Sequence, residues 1–165
     1  MNIEKLKILK SLINEELELY VELDNYFEDK RKILISNSTE ELLAIDDKIL
    51  NTVASIKSAV NHRQHVTLKC GYRTLNMTQI IELSKNIDIT IAEEFKTIQK
   101  EINELIKEIA KKERIIKELI RHGMNMVNRT LGLISNATVL SGDYNNRGKS
   151  TQGEINRISS VVEEV

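Results

Sequence analysis

Between Ile3 and Ile35 the apolar residues Leu6, Leu9, Ile13, Leu17, Tyr20, Leu23, Phe27 and Leu34 recur in steps of mostly three and four. That spacing is one face of a helix and predicts a first helix over about 2–36. Ser36-Asn37 interrupts the stripe, and Ser38-Thr39-Glu40-Glu41 then offers a capping box, Ser38 accepting from the Glu41 N–H while Glu41 reaches back. A second helix is expected over 39–61, with Leu42, Ile45, Ile49, Val53, Ile56 and Val60 inward. A link this short folds two helices into an antiparallel hairpin. Residues 62–76 have no helical stripe and contain Gly71, so they read as a connector. Asn76 and Gln79 form a weaker capping pair, opening a short helix over about 77–86.

From Asp88 there is no strong stop before Ser141-Gly142. The helix predicted over 88–140 therefore has roughly 50 residues and a length of about 75 Å. Ile91, Phe95, Ile98, Ile102, Leu105 and Ile109 form a coiled-coil-like seam, flanked by the pairs Glu108–Lys112 and Glu113–Lys117. Lys112 then takes the next core slot. Apolar residues resume at Ile116, Ile120, Met124, Val127, Leu131 and Ile134 after a four-four step, so the helix must unwind locally or change neighbours there. The fold class this predicts is all-α: an antiparallel helical hairpin packed on one very long C-terminal helix, a single domain over 1–141. The polar, glycine-rich stretch from Gly142 to Gly153 begins a flexible tail, 142–165, in which a short helix over 154–165 is expected.

Composition reinforces this. The chain of 165 residues has no proline, few aromatic residues and many charged ones, which suits helical bundles. Lys+Arg (24) and Asp+Glu (25) nearly cancel, leaving no field to draw the chain onto nucleic acid or anionic lipid. A lone cysteine, Cys70, and charges at Glu4 and Lys5 where a signal peptide's apolar core would begin predict a cytoplasmic protein.

Charge is distributed unevenly along the long helix. Residues 88–122 carry 16 Asp, Glu, Lys and Arg side chains, whereas 123–140 carry only Arg129. A segment so poor in charge is built to be covered. Membrane insertion is not expected, because Asn125, Asn128, Asn136, Thr130, Thr138 and Arg129 would be costly in hydrocarbon. At 100° per residue Met124, Val127, Leu131 and Ile134 make one stripe, and Met126, Leu133 and Leu140, seven apart, a second about 135° away. Two stripes need two coverings. Either the first two helices supply both, or a partner's amphipathic helix takes a surface whose methionines and glycines suit adaptable, close approach.

No constellation supports catalysis. Gly142 and Gly148, ahead of Lys149-Ser150, are separated by five residues where a phosphate loop needs four, and no strand precedes them. His62, His65 and Cys70 fall short of the four ligands of a structural zinc site. The Asp and Glu residues are expected on the solvated faces opposite the apolar stripes. Neither cofactor nor metal is expected.

The chain resembles the FlgN family of flagellar export chaperones. The likeness is carried by Leu9, Leu12-Ile13, Glu16, Tyr20, Leu23, Lys32-Ile33-Leu34-Ile35, Glu41-Leu42-Leu43, Ile45, Lys48-Ile49-Leu50, Ile56 and Arg63, and later by Asn128, Leu131, Leu133-Ile134, Tyr144 and Gly148, over residues 1 to about 150. Val60-Asn61 departs from the leucine-glutamate frequent there. The resemblance implies an ATP-independent cytosolic chaperone of the flagellar type III export system, not an enzyme. It would bind the terminal amphipathic helices of the hook-associated, or hook–filament junction, proteins and deliver them to the export gate. In such chaperones the later part of the long helix carries client contacts, here Met124, Met126, Val127, Leu131, Leu133, Ile134 and Leu140, with Tyr144 facing the export gate. The alternative from another class is a structural coiled-coil scaffold forming homo-oligomers through the 91–109 seam, which has no need of a second low-charge stripe.

Overall fold

The computed structural model describes residues 3–36, 38–72 and 75–141, with side chains as far as Ser135. Four helices account for nearly all of these: α1 Ile3–Ser36, α2 Thr39–Lys69, α3 Met77–Lys85 and α4 Ile89–Ser141. The expected tail, 142–165, lies outside the described residues. The chain divides into two units, Met1–Glu118 and Leu119–Val165.

Within the first unit α1 carries two working faces. Leu6, Leu9 and Ile13 join Ile80 and Ile81 of α3 and Ile91, Phe95 and Ile98 of α4 in one buried cluster, with Leu17, Leu75, Met77 and Ile102 at its edge. Phe95 is fully buried there. Toward α2, Glu16 pairs with Arg63 and Lys30 with Asp46, so the partners descend along α2 as they ascend along α1: an antiparallel hairpin. Toward α4 the order is reversed, since Lys10 pairs with Glu94 and Asp24 with Lys112, and α1 and α4 run parallel.

The seam of α4 is inward from Ile91 to Ile109 as the spacing predicts. Lys112, in the next slot, is half-buried and places its ammonium 2.7 Å from the Asp24 carboxylate, so a cross-helix ion pair fills the position where the apolar rhythm skips. Lys112 therefore does not pair with Glu108, which reaches Lys111 instead; the expected Glu113–Lys117 pair forms at 2.8 Å. Ile116 is buried again.

Four local expectations are corrected. The second helix ends at Lys69, eight residues beyond Asn61. Its inward face continues after Val60 through Arg63 and the buried Thr67, polar residues at steps of three and four, so apolar spacing alone lost the stripe where it persisted. On that helix Thr52 is buried and its neighbour Val53 exposed, the reverse of what hydrophobicity suggests. Gly71, taken as part of an irregular connector, ends α2: at φ 89° its N–H donates to the Leu68 carbonyl while the Tyr72 N–H donates to that of Thr67, a Schellman motif. Finally, Ser38 stands at the start of α2 without any side-chain cap bond; its carbonyl accepts from Leu42, as the first helical turn requires. The capping box forms instead at α3, where the Gln79 N–H donates to Asn76 Oδ1 (2.9 Å) and the Asn76 N–H to Gln79 Oε1 (3.0 Å). Asp88 caps α4 by accepting from the Thr90 and Ile91 amides.

Candidate helix-docking site

The second unit contains the part of α4 that the sequence marks as poor in charge. Its backbone is helical without interruption to Ser141, because no proline occurs and only two glycines, Gly123 and Gly132, fall within it. Both glycines are open: a Cβ built on either meets nothing within 4 Å. Gly in a helix interior costs roughly 0.5–1 kcal/mol relative to Ala. Here no group of the chain, among the described residues, uses the space that this cost leaves free.

Of the candidate residues, Met124, Val127, Leu131 and Ile134 share one face and are 55–62% exposed, while Met126 and Leu133 share the other at 72% and 71%. The described part of each stripe thus forms a solvent-facing apolar row rather than part of a core. The side chain of Leu140 and all of Tyr144 lie outside the described residues. The sequence reading missed Leu119, which is 37% exposed and begins the second row, Leu119–Met126–Leu133, seven residues before Met126. Extending the seven-residue repeat one step backward would have found it.

The surface is electrically simple. From Leu119 to Ser141 there is no carboxylate, and the cations are Arg121 and Arg129, with His122 beside the first. Such a row can lose water to a complementary apolar face. Elsewhere, His62 and His65 are exposed on α2, and Cys70 is its half-buried C-cap. Among the described residues no group of three or more His, Cys, Asp and Glu could hold a metal ion, and no helix is long and apolar enough to cross a membrane. Gly148-Lys149-Ser150 lies outside the described residues.

Among curated proteins and among solved structures, nothing matches the chain. A family model described as FlgN protein matches residues 1–152, which takes in the hairpin, α3 and the whole of α4. The chain therefore belongs to the FlgN family, a family of flagellar export chaperones.

Proposed function

We propose that this chain is an ATP-independent cytoplasmic chaperone that receives the terminal amphipathic helix of a flagellar hook-associated protein along α4 between Met124 and Leu140. It holds the client from premature assembly and delivers it to the export gate, with Tyr144 in the gate contact. The observation that carries the reading is the exposed, carboxylate-free pair of apolar rows on one continuous helix, with two open glycines between their residues. A helix destined to pack in an assembled filament is an aggregation hazard while free, and laying its apolar face on such a row removes the hazard without covalent chemistry. Self-association through the 91–109 seam is less well supported, since Ile91, Phe95 and Ile98 are already buried against α1 and α3.

The test replaces Met126, Leu133 and Leu140 together by aspartate and measures co-purification with a hook-associated protein's terminal helix alongside the melting temperature. Each side chain, when buried in a complex, contributes about 1.5–3 kcal/mol, and since binding also costs ordering entropy the loss of three weakens affinity by up to roughly a thousandfold, about 4 kcal/mol. The expected variant melts like the native chain and no longer binds. One that still binds the client defeats the assignment, and one that unfolds returns the row to a structural role.

A further inference from the structure

The inward seam of α4 within the first unit is closed at both ends and open between them. Ile98 and Ile116 are buried, whereas Ile102, Leu105 and Ile109 are only half-covered. The ion pairs Lys10–Glu94 and Asp24–Lys112 tie α1 to α4 across this stretch. Within it lies a groove of roughly 310 Å³ lined by residues of these two helices alone. Its floor is Leu17 and Val21 of α1 with Leu105 of α4, and Val21 is 44% exposed. Its α4 wall is Glu101, Glu104 and Glu108, three and four residues apart on one ridge.

Length and charge together select the occupant. The groove runs beside two turns of each helix, about 12 Å, which matches the apolar stripe of one short amphipathic helix. Asp24 is already met by Lys112, but the α4 wall is not neutralised from across the groove. Glu104 and Glu108 reach only Lys100 (3.9 Å) and Lys111 (3.5 Å) on their own helix, with all four side chains more than half exposed, and Glu101 makes no ion pair among the described residues. Exposed pairs of that kind are weak and yield to a partner's cation. Nor does α1 supply one, since between Lys10 and Lys30 it carries seven carboxylates and no Lys or Arg. We propose that the α1–α4 groove docks a basic amphipathic helix of another protein, its apolar stripe on Leu17, Val21 and Leu105 and its flanking Lys or Arg residues on Glu101, Glu104 and Glu108. The inference is independent of the client reading. The client row from Met124 onward has no carboxylate and so cannot select a basic helix, whereas this groove excludes an acidic one.

The experiment titrates the full chain into a fluorescein-labelled synthetic helix of about fourteen residues, leucine on one face and lysine on the other, and reads anisotropy at physiological salt, where distant charges are screened. Saturable binding is expected, weakened at least about tenfold by Glu101→Lys/Glu108→Lys and several-fold by Val21→Gln, with the melting temperature of both variants unchanged. Asp47→Lys/Glu82→Lys alters the net charge equally at exposed positions outside the groove and is expected to weaken binding less than about twofold. The same peptide with glutamate in place of lysine is expected not to bind the groove. Equal losses for the two lysine pairs overturn the proposal, since they reduce it to attraction by net charge, and so does an absence of saturable binding. Loss of the lysine peptide on Met126→Asp/Leu133→Asp overturns it too, by placing the peptide on the second unit's row. Sedimentation gives the remaining outcome: a dimer that Glu101→Lys/Glu108→Lys dissolves assigns the groove to a second copy and overturns it as well. Failure of any of these leaves intact a client-binding loss in the Met126/Leu133/Leu140 variant, and failure of that variant to lose its client leaves the peptide result intact.

Discussion

Glu16 is almost wholly buried on α1 and accepts a 2.5 Å hydrogen bond from Arg63 Nε, which is itself largely covered. Little water reaches either charge, so each depends largely on the other. The neighbouring Tyr20 phenol is pushed above its ordinary range, by burial first and then by the Glu16 carboxylate, with Arg63 opposing. Arg63→Ala strands a buried carboxylate and is expected to destabilise the hairpin by about 3–5 kcal/mol. Replacing both partners, Glu16→Leu with Arg63→Met, is expected to restore or exceed native stability. Urea denaturation of the three chains decides the matter, and equal midpoints for native and Arg63→Ala would show the pair to be inert. The sequence reading put charged residues on the solvated faces, which holds for most of α4 but not here. Nothing in the spacing of a lone glutamate and a lone arginine 47 residues apart says that they meet.

Helix boundaries separate what periodicity can and cannot read. Start and end of α1, α3 and α4 fall within one residue of the expected positions, because apolar stripes there stop where polar or capping residues begin. α2 outran its expected end because Arg63 and Thr67 occupy inward positions, and a stripe defined by apolar residues is blind to a polar side chain that is satisfied by a partner. Cap strength was also misordered: serine-glutamate is the stronger signature, yet only the asparagine-glutamine pair closes both bonds. Asn76→Ala is accordingly expected to cost about 1 kcal/mol, whereas Ser38→Ala costs at most a few tenths, since no side-chain bond is lost. Thermal melts of the two variants give the comparison, and a larger loss for Ser38→Ala would reverse the assignment.

At the scale of the whole chain the two units respond differently to substitution. Phe95 is sealed among α1, α3 and α4, and Phe95→Ala is expected to remove about 3–5 kcal/mol, through lost burial and the cavity left behind. The helical signal of the native protein, from helices covering just over three-quarters of the 165 residues, should then collapse at lower temperature. Met126→Asp and Leu133→Asp, both on exposed positions, should move the melt little. Circular dichroism melts of the three variants test this, and comparable shifts would mean that the exposed row is structural after all. The all-α class and the charge-poor half of α4 were legible because both rest on periodicity and composition. Which helix each face of α1 meets was not, since α1 serves two neighbours and spacing does not name them.

The parallel pairing of α1 with α4 joins residues more than eighty positions apart, Lys10 with Glu94 and Asp24 with Lys112. A ribosome adds about 5–20 residues per second, so the apolar face formed by Leu6, Leu9 and Ile13 leaves the exit tunnel roughly 4–20 seconds before Ile91, Phe95 and Ile98 can cover it. α2 follows at once and closes the other face by local contacts, which form fastest. The nascent chain thus passes through a half-covered hairpin on every round of synthesis. A member of a chaperone family thus spends its own first seconds with an apolar face uncovered.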